Sequence, residues 1–241
     1  MIPKIIHYCW FGKKEKPENI KKCIASWKER CPDYSFIEWN EDNFDIAAFD
    51  YCIEAYGEKK YAFVSDVARA KALYEMGGIY LDTDVTVLQS FDVILNNSVV
   101  LGFEEGNYVA TSFMASAPHQ RLFRDFVRHY ENMHFVNDDG SYNAGTNVVQ
   151  LTKMLVERGL IRNNKYQLIS ENIAVYPKEF FSPYDYINCV YEMTDSSICV
   201  HHFFVSWMNW TSRAKKRAKT ILVKIVGKKM LIRLRTAFWN R

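Results

Sequence analysis

The sequence predicts an α/β fold with a largely parallel central sheet, and three observations carry that expectation. Strand-like and helix-like segments alternate from residue 4 to residue 158. The segment "YAFVSDVARAKALYEMGG" places Phe63, Val67, Ala70 and Tyr74 at helical spacing and ends at Gly77 and Gly78. A short apolar run, Ile79, Tyr80 and Leu81, follows at once and reads as a buried strand.

The elements follow in order. "PKIIHYCWFG" reads as a first strand, over 4–9, with His7 as part of its filling, and a helix is expected at about 18–30. "YSFIEW" gives a strand at 34–39, then helices at about 49–57 and from 61 onward. After the strand at 79–81, further strands are expected at 98–104 and 108–115, with helices at 119–133 and 145–158. "ICVHHF" supplies a late strand at 198–203. No internal repeat and no dividing linker interrupts residues 1–210, so these form one domain, followed by a separate tail over 211–241.

Composition bounds the class. At 241 residues the chain can bury a full core, and 49% hydrophobic with 24% charged residues fits a globular chain. Its six cysteines (9, 23, 31, 52, 189 and 199) form no CxxC pair and no zinc spacing. With no secretory signal before the first strand, reduced thiols in a cytosolic protein are expected. No apolar run approaches the ~20 residues that span a bilayer. The net charge of +3 conceals an asymmetry, because residues 213–241 hold eleven Lys or Arg and no acid. Residues 1–212 therefore carry 20 basic against 28 acidic groups. That acidic body argues against nucleic-acid binding.

"GGIYLDTDV" raises the chemical question. Asp82 and Asp84 end a buried strand with only Thr83 between them, and in an extended chain both side chains would face one spot. Converging like charges are costly unless a cation or a hydrogen-bond network lies between them. In an open α/β sheet ligands bind beyond the carboxyl ends of the strands. The strands ending at "CWFG" and at "DTD" would share that crevice. Neither GxGxxG after the first strand nor GxxxxGK[ST] is present, so a nucleotide held here needs another phosphate cradle. A divalent cation on the two aspartates would supply it.

"IPKIIHYCWFG", "YAFVSDVARAKALYEMGGIYLDTDV" and "HHFFVSW" together resemble family 32 of the glycosyltransferases, over most of residues 1–210 and most strongly over 61–88. That family includes bacterial capsule and lipopolysaccharide sugar transferases, yeast mannosyltransferases and, more distantly, glucosylating toxins. The resemblance implies a GT-A (Rossmann-like) fold, a nucleotide-sugar donor with UDP the expected nucleotide, Mn²⁺ or Mg²⁺, and transfer with retention. The acceptor it implies is a saccharide or lipid-linked sugar in surface polysaccharide synthesis.

Residue by residue, Asp82 and Asp84 match the DxD that holds the metal; without the flanking motifs they would read equally as turn aspartates. Asp66 and Arg69 match a pair that bonds the donor sugar, though three apart on a helix they also suit a plain ion pair. Trp10 matches the tryptophan that stacks on the donor base, with Gly12 allowing close backbone approach; a core tryptophan is the alternative. Alternation puts His201 and His202 on opposite faces, so one of them reaches the metal, His202 being favoured. Ser206 and Trp207 resemble donor contacts, and Asn143 in "YNAGTNVVQL" resembles an asparagine at the donor sugar, or else marks a helix start. No carboxylate nucleophile stands out for a two-step route, and the family picture is front-face attack. The rival readings are a metal-dependent phosphohydrolase and a non-catalytic sugar-nucleotide-binding module.

The tail "RAKKRAKTILVKIVGKKMLIRLRTAFWNR" reads as a basic amphipathic helix lying on an anionic membrane, which would place the protein at the inner face of the membrane. The alternative is packing on its own domain or in a homodimer.

Overall fold

The computed structural model describes residues 1–204. The tail over 211–241, Ser206 and Trp207 all lie outside the described residues.

The chain begins with β1 (Ile5–Cys9), α1 (Glu18–Arg30), β2 (Ser35–Trp39), α2 (Asp50–Gly57) and α3 (Tyr61–Glu75). Next come β3 (Gly78–Leu81), β4 (Val85–Val87), β5 (Val99–Gly102), β6 (Phe113–Ser116), α4 (Arg121–Glu131) and α5 (Asn147–Val156). The last elements are β7 (Gln167–Ile169), β8 (Ile173–Tyr176), α6 (Lys178–Phe181), β9 (Tyr184–Asp185), β10 (Val190–Tyr191) and β11 (Cys199–His201). Seven strands form one sheet in the order β2-β1-β3-β6-β5-β8-β7. Strands β2, β1, β3, β5 and β8 run one way, and β6 and β7 run against them. The largely parallel α/β sheet expected from the sequence is therefore present.

Alternation along each central strand divides the core into two layers. Tyr80, Leu101, Met114 and Val175 face the layer built with helices α2 to α5. Ile79, Leu81, Val100, Phe113 and Ala174 face the other, which contains Trp27 of α1. Trp27 is fully buried, and its indole N–H donates to the carbonyl of Val85 at 2.7 Å, fixing α1 against β4. Helix α3 is enclosed on most sides. Val64, Val67, Ala68 and Leu73 form its buried surface, whereas Phe63 and Tyr74 of the expected stripe are only half-buried.

Two glycines open β3, Gly77 against the end of β6 and Gly78 against β1. Gly77 and Gly78 have φ of +65° and +98°, a region costly for residues with a Cβ. A Cβ on Gly78 would lie 2.6 Å from the carbonyl oxygen of Ile5. His7 seals the junction. Trp39 donates its indole N–H to Nδ1 of His7 at 3.2 Å, so Nε2 carries the proton and donates to the Gly77 carbonyl at 2.8 Å. Burial lowers the His7 pKa to about 4, which keeps the ring neutral. As expected, His7 belongs to the sheet and not to a ligand site.

Two expectations shift. The strand placed over 108–115 begins only at Phe113, because Glu105–Asn107 makes a tight turn through Gly106 at φ +78°. The intervening stretch joins β5 through a single bridge between Phe103 and Val109. Strands β4, β7 and β8, and the β9–β10 pair, have no counterpart in the sequence expectations. At two to four residues each, they are too short to display a period.

Replacing Gly78 by Ala should destabilise the fold by roughly 1–3 kcal/mol in urea denaturation. Gly57→Ala, where a Cβ meets nothing within 4 Å, should be neutral or slightly stabilising. Equal effects at the two positions would contradict this account of the β1–β3 junction.

Candidate metal and donor-binding site

The crevice lies where β1 and β3 end side by side. His7 is in register with Tyr80 across this parallel pair, so the residues after Cys9 and after Leu81 emerge at the same edge. Asp82, Thr83 and Asp84 do not continue the strand. They form a tight turn, with the Val85 amide donating to the Asp82 carbonyl at 3.0 Å, and the chain departs as β4. The two carboxylates converge as expected, but through a turn and not through strand alternation.

β11 pairs antiparallel with β4, with His201 opposite Val85, and this delivers an imidazole to the aspartates. Nε2 of His201 lies 3.2 Å from Asp84 Oδ1 and 4.0 Å from Asp82 Oδ2. One ligand atom from each of the three residues falls within 4.8 Å of the others. His202 points elsewhere: its Nε2 bonds the Thr86 hydroxyl and its Nδ1 the Tyr191 hydroxyl, both at 2.8 Å. The preference for His202 drawn from the sequence is thus corrected to His201, because the β4–β11 ladder fixes which face each histidine presents.

Burial opposes the charge on Asp84, yet His201 and the Phe204 amide, which donates to Oδ2 at 2.8 Å, hold its pKa down to about 2. Burial likewise works against the charged His201 ring, and the Asp84 carboxylate outweighs it and raises the pKa above the usual value. Two carboxylates and an imidazole form a donor set suited to a hard or borderline divalent cation. The Nδ1 of His201 is buried with no hydrogen-bond partner among the described residues, so the ring is held by packing on Phe203, 3.8 Å away centroid to centroid, and by its carboxylate contacts. Asp82, Asp84 and His201 therefore fit a metal.

Arg69 knits the crevice together from below. Its Nε donates to the Ser65 carbonyl at 3.2 Å and Nη1 to the Thr111 carbonyl at 3.0 Å. Nη1 also lies 3.3 Å from Asp82 Oδ1, and Nη2 lies 3.1 Å from Asp66 Oδ1. The guanidinium packs on the Tyr80 ring at 4.6 Å, while the Tyr80 hydroxyl donates to Asp82 Oδ1 at 2.9 Å. With most of its N–H groups engaged by protein, Arg69 positions Asp66 and Asp82. Asp66 is 8% exposed, and burial pushes its pKa up to about 7 against the pull of Arg69. No hydrogen bond from a described residue reaches its Oδ2.

The remaining expected residues divide. Trp10 follows directly on β1 at the crevice edge, anchored by its N–H to the Lys14 carbonyl, with the Lys16 ammonium 5.5 Å from its ring centre. Gly12 has a steric reason of its own. Its amide already donates to Glu41 at 2.6 Å, and at φ +92° any Cβ would overlap the Tyr61 ring. Asn143 is not brought to Asp66; its side chain donates to the His134 carbonyl at 3.3 Å. Four residues on, Asn147 takes that place, donating to Asp66 Oδ1 at 2.6 Å while accepting from the Thr111 hydroxyl at 3.0 Å. The segment "YNAGTNVVQL" contains both asparagines, and an asparagine opening a helix was the missed signal.

Comparison with known proteins agrees with this geometry. A family model described as "Glycosyltransferase sugar-binding region containing DXD motif" matches residues 17–101. Inositol phosphoceramide mannosyltransferase 2 of Schizosaccharomyces pombe is 30% identical over 54% of this chain and 39% of its own length. The chain thus matches about two fifths of that relative. The "Uncharacterized glycosyltransferase L373" of Acanthamoeba polyphaga mimivirus is 29% identical over 86% of this chain and 84% of its own. Over these stretches the chain is similar to proteins described as glycosyltransferases, and the family model's description names the DXD motif. The solved structure of a PaToxG glycosyltransferase superposes with a TM-score of 0.48 at 20% identity, covering 65% of this chain and 68% of that one.

Mn²⁺ at 100 times its dissociation constant should stabilise the protein by about 2.7 kcal/mol. That gain should disappear in Asp84→Asn and His201→Ala but persist in His202→Ala, as read from thermal unfolding with and without EDTA. Loss in His202→Ala with retention in His201→Ala would reverse the ligand assignment.

Proposed function

We propose that this chain is a DxD glycosyltransferase that moves a hexosyl group from a nucleoside-diphosphate sugar to a saccharide or lipid-linked acceptor with retention, a reading its family model and relatives support. The observation that carries the reading is the convergence of Asp82, Asp84 and His201 at the edge where Trp10 follows β1, with Arg69 linking Asp82 to Asp66. UDP-hexoses are the first donors to examine. The fungal relatives' names add a mannosyl donor to the set.

A divalent cation on Asp82, Asp84 and His201 would neutralise the charge left on the departing diphosphate. The chain's own residues do the rest. Trp10 offers a flat face for the base, on the side not taken by Lys16. Asp66 accepts sugar hydroxyls through Oδ2, its other oxygen being held by Arg69 and Asn147. Arg69 keeps Asp82 and Asp66 at fixed separation, so neither must reorganise as the bond breaks. In the front-face reading the acceptor oxygen enters on the side the diphosphate leaves and the hydroxyl proton passes to the diphosphate. The setting we infer, polysaccharide assembly at the inner membrane face with Mn²⁺ as the working metal, draws on the family resemblance and the eleven basic residues of 213–241.

Nucleoside diphosphate release from a sugar-nucleotide panel should require Mn²⁺ or Mg²⁺ and stop with EDTA. Trp10→Ala should weaken the nucleotide itself, by roughly 1–3 kcal/mol, whereas Asp66→Ala should spare nucleotide affinity and depress turnover of the whole donor. Metal-independent turnover, or equal loss of nucleotide affinity in both variants, would count against the reading. For the tail, the full chain should co-sediment with anionic vesicles at low salt and a chain ending at Thr211 should not; equal binding by both would remove the membrane setting.

A further inference from the structure

We propose that Glu104 binds the acceptor, its carboxylate accepting a hydrogen bond from an acceptor hydroxyl beside the one that attacks the donor sugar. The inference rests on the transferase reading above and assigns the half of the crevice which that reading leaves empty.

Glu104 follows β5 at the same sheet edge as the aspartates. In the strand order β3-β6-β5, only β6 stands between β3 and β5. The Asp82 amide donates to the Ser112 carbonyl at 2.9 Å, just before β6. On the other side, the Ala110 amide donates to the Gly102 carbonyl at 2.9 Å and the Glu104 amide to the Tyr108 carbonyl at 2.7 Å. The backbone of Glu104 is therefore fixed. At a strand spacing of about 4.8 Å, the ends of β3 and β5 stand roughly 10 Å apart. The backbone before β6 runs between them, so Glu104 and the aspartates flank it at that separation.

The contrast with its neighbour is informative. Glu105 is neutralised by Lys178, whose ammonium lies 2.9 Å from Oε2. Glu104 receives no hydrogen bond and no close cation from any described residue, although it is recessed and only partly exposed. The charged groups that act on it are His201, which favours its charge, and Asp82 and Glu105, which oppose it. Burial is the largest influence and pushes its pKa up to about 7. A recessed carboxyl within electrostatic reach of His201 and Asp82, with no structural partner among the described residues, is a functional candidate on physical grounds. Its nearest chemical use is a hydroxyl, since both its neutral and charged forms bond one.

In the transfer, the acceptor oxygen bonds to the anomeric carbon while the bond from that carbon to the diphosphate oxygen breaks. The bonding electrons leave on the diphosphate, which takes the hydroxyl proton. Glu104 holds the neighbouring hydroxyl, which orients the acceptor, and neither gains nor loses an atom. Misplacing the attacking hydroxyl by about 1 Å is enough to cost on the order of 100-fold in rate.

The test separates transfer from hydrolysis. Donor breakdown in water without acceptor, transfer with acceptor and nucleotide affinity are measured for the wild type, Glu104→Gln and Glu104→Ala, each checked for an unchanged unfolding midpoint. In Glu104→Ala transfer should fall at least about 100-fold, with a smaller loss in Glu104→Gln, while hydrolysis and nucleotide affinity stay at wild-type values. Parallel loss of hydrolysis and transfer would place Glu104 in the donor half, as a nucleophile or metal support, and overturn the proposal. An unchanged ratio of transfer to hydrolysis, or a lowered unfolding midpoint in both variants, would overturn it too. A wild-type protein that breaks down no sugar nucleotide defeats the transferase reading itself, an outcome distinct from any of these.

Discussion

The guanidinium of Arg69 sits where α3, β3 and the segment before β6 meet, 6% exposed and in contact with two carboxylates. Without it, Asp66 and Asp82 would face each other across a desolvated space as uncompensated charges. Breaking such a buried pair typically costs about 3–5 kcal/mol, because the stranded partner remains charged or must change its protonation. Arg69 offsets both at once and adds the carbonyls of Ser65 and Thr111, so one side chain ties a helix to two neighbouring strand ends. The crevice inherits its shape from that knot. Arg69 and Asn147 hold one oxygen of Asp66, and Arg69 also holds Asp82, from which the turn runs on to Asp84.

His201 performs the corresponding service on the far side. It arrives through β11, more than a hundred residues after the aspartates, and only the antiparallel ladder with β4 determines that it, and not His202, meets them. Charge is balanced on both flanks: the Asp82 side by Arg69, the Asp84 side by His201. The balance is asymmetric. Arg69 is locked by backbone carbonyls, whereas His201 is held by packing and carboxylates alone, so His201 is the partner that can exchange its carboxylate contact for a cation.

Much of this was legible in the sequence, for physical reasons that differ by element. Helix α1 was placed at its observed bounds because thirteen residues display more than three turns of pattern. β3 was legible because two glycines announce it. The DxD pair was legible because two acids after an apolar run demand an explanation. Strands β7 and β8 were not, since three or four residues cannot show a period. The choice between His201 and His202 was beyond reach because strand pairing decides it. Asn147 was passed over for Asn143, although the two lie only four residues apart; which of them meets Asp66 depends on where α5 begins in space. Glu104 had no local signal at all, because its meaning comes from β5 lying two strands from β3.

The central claim is that the turn after β3 and the end of β11 form one cation site that carries a nucleoside diphosphate. Anomalous diffraction from crystals grown with Mn²⁺ and a nucleoside diphosphate tests it most directly. The account predicts one manganese peak bounded by Asp82, Asp84 and His201, in contact with diphosphate oxygens, with the base against Trp10. Manganese bound away from these three residues, or the nucleotide seated in the crevice with no metal beside them, would contradict it.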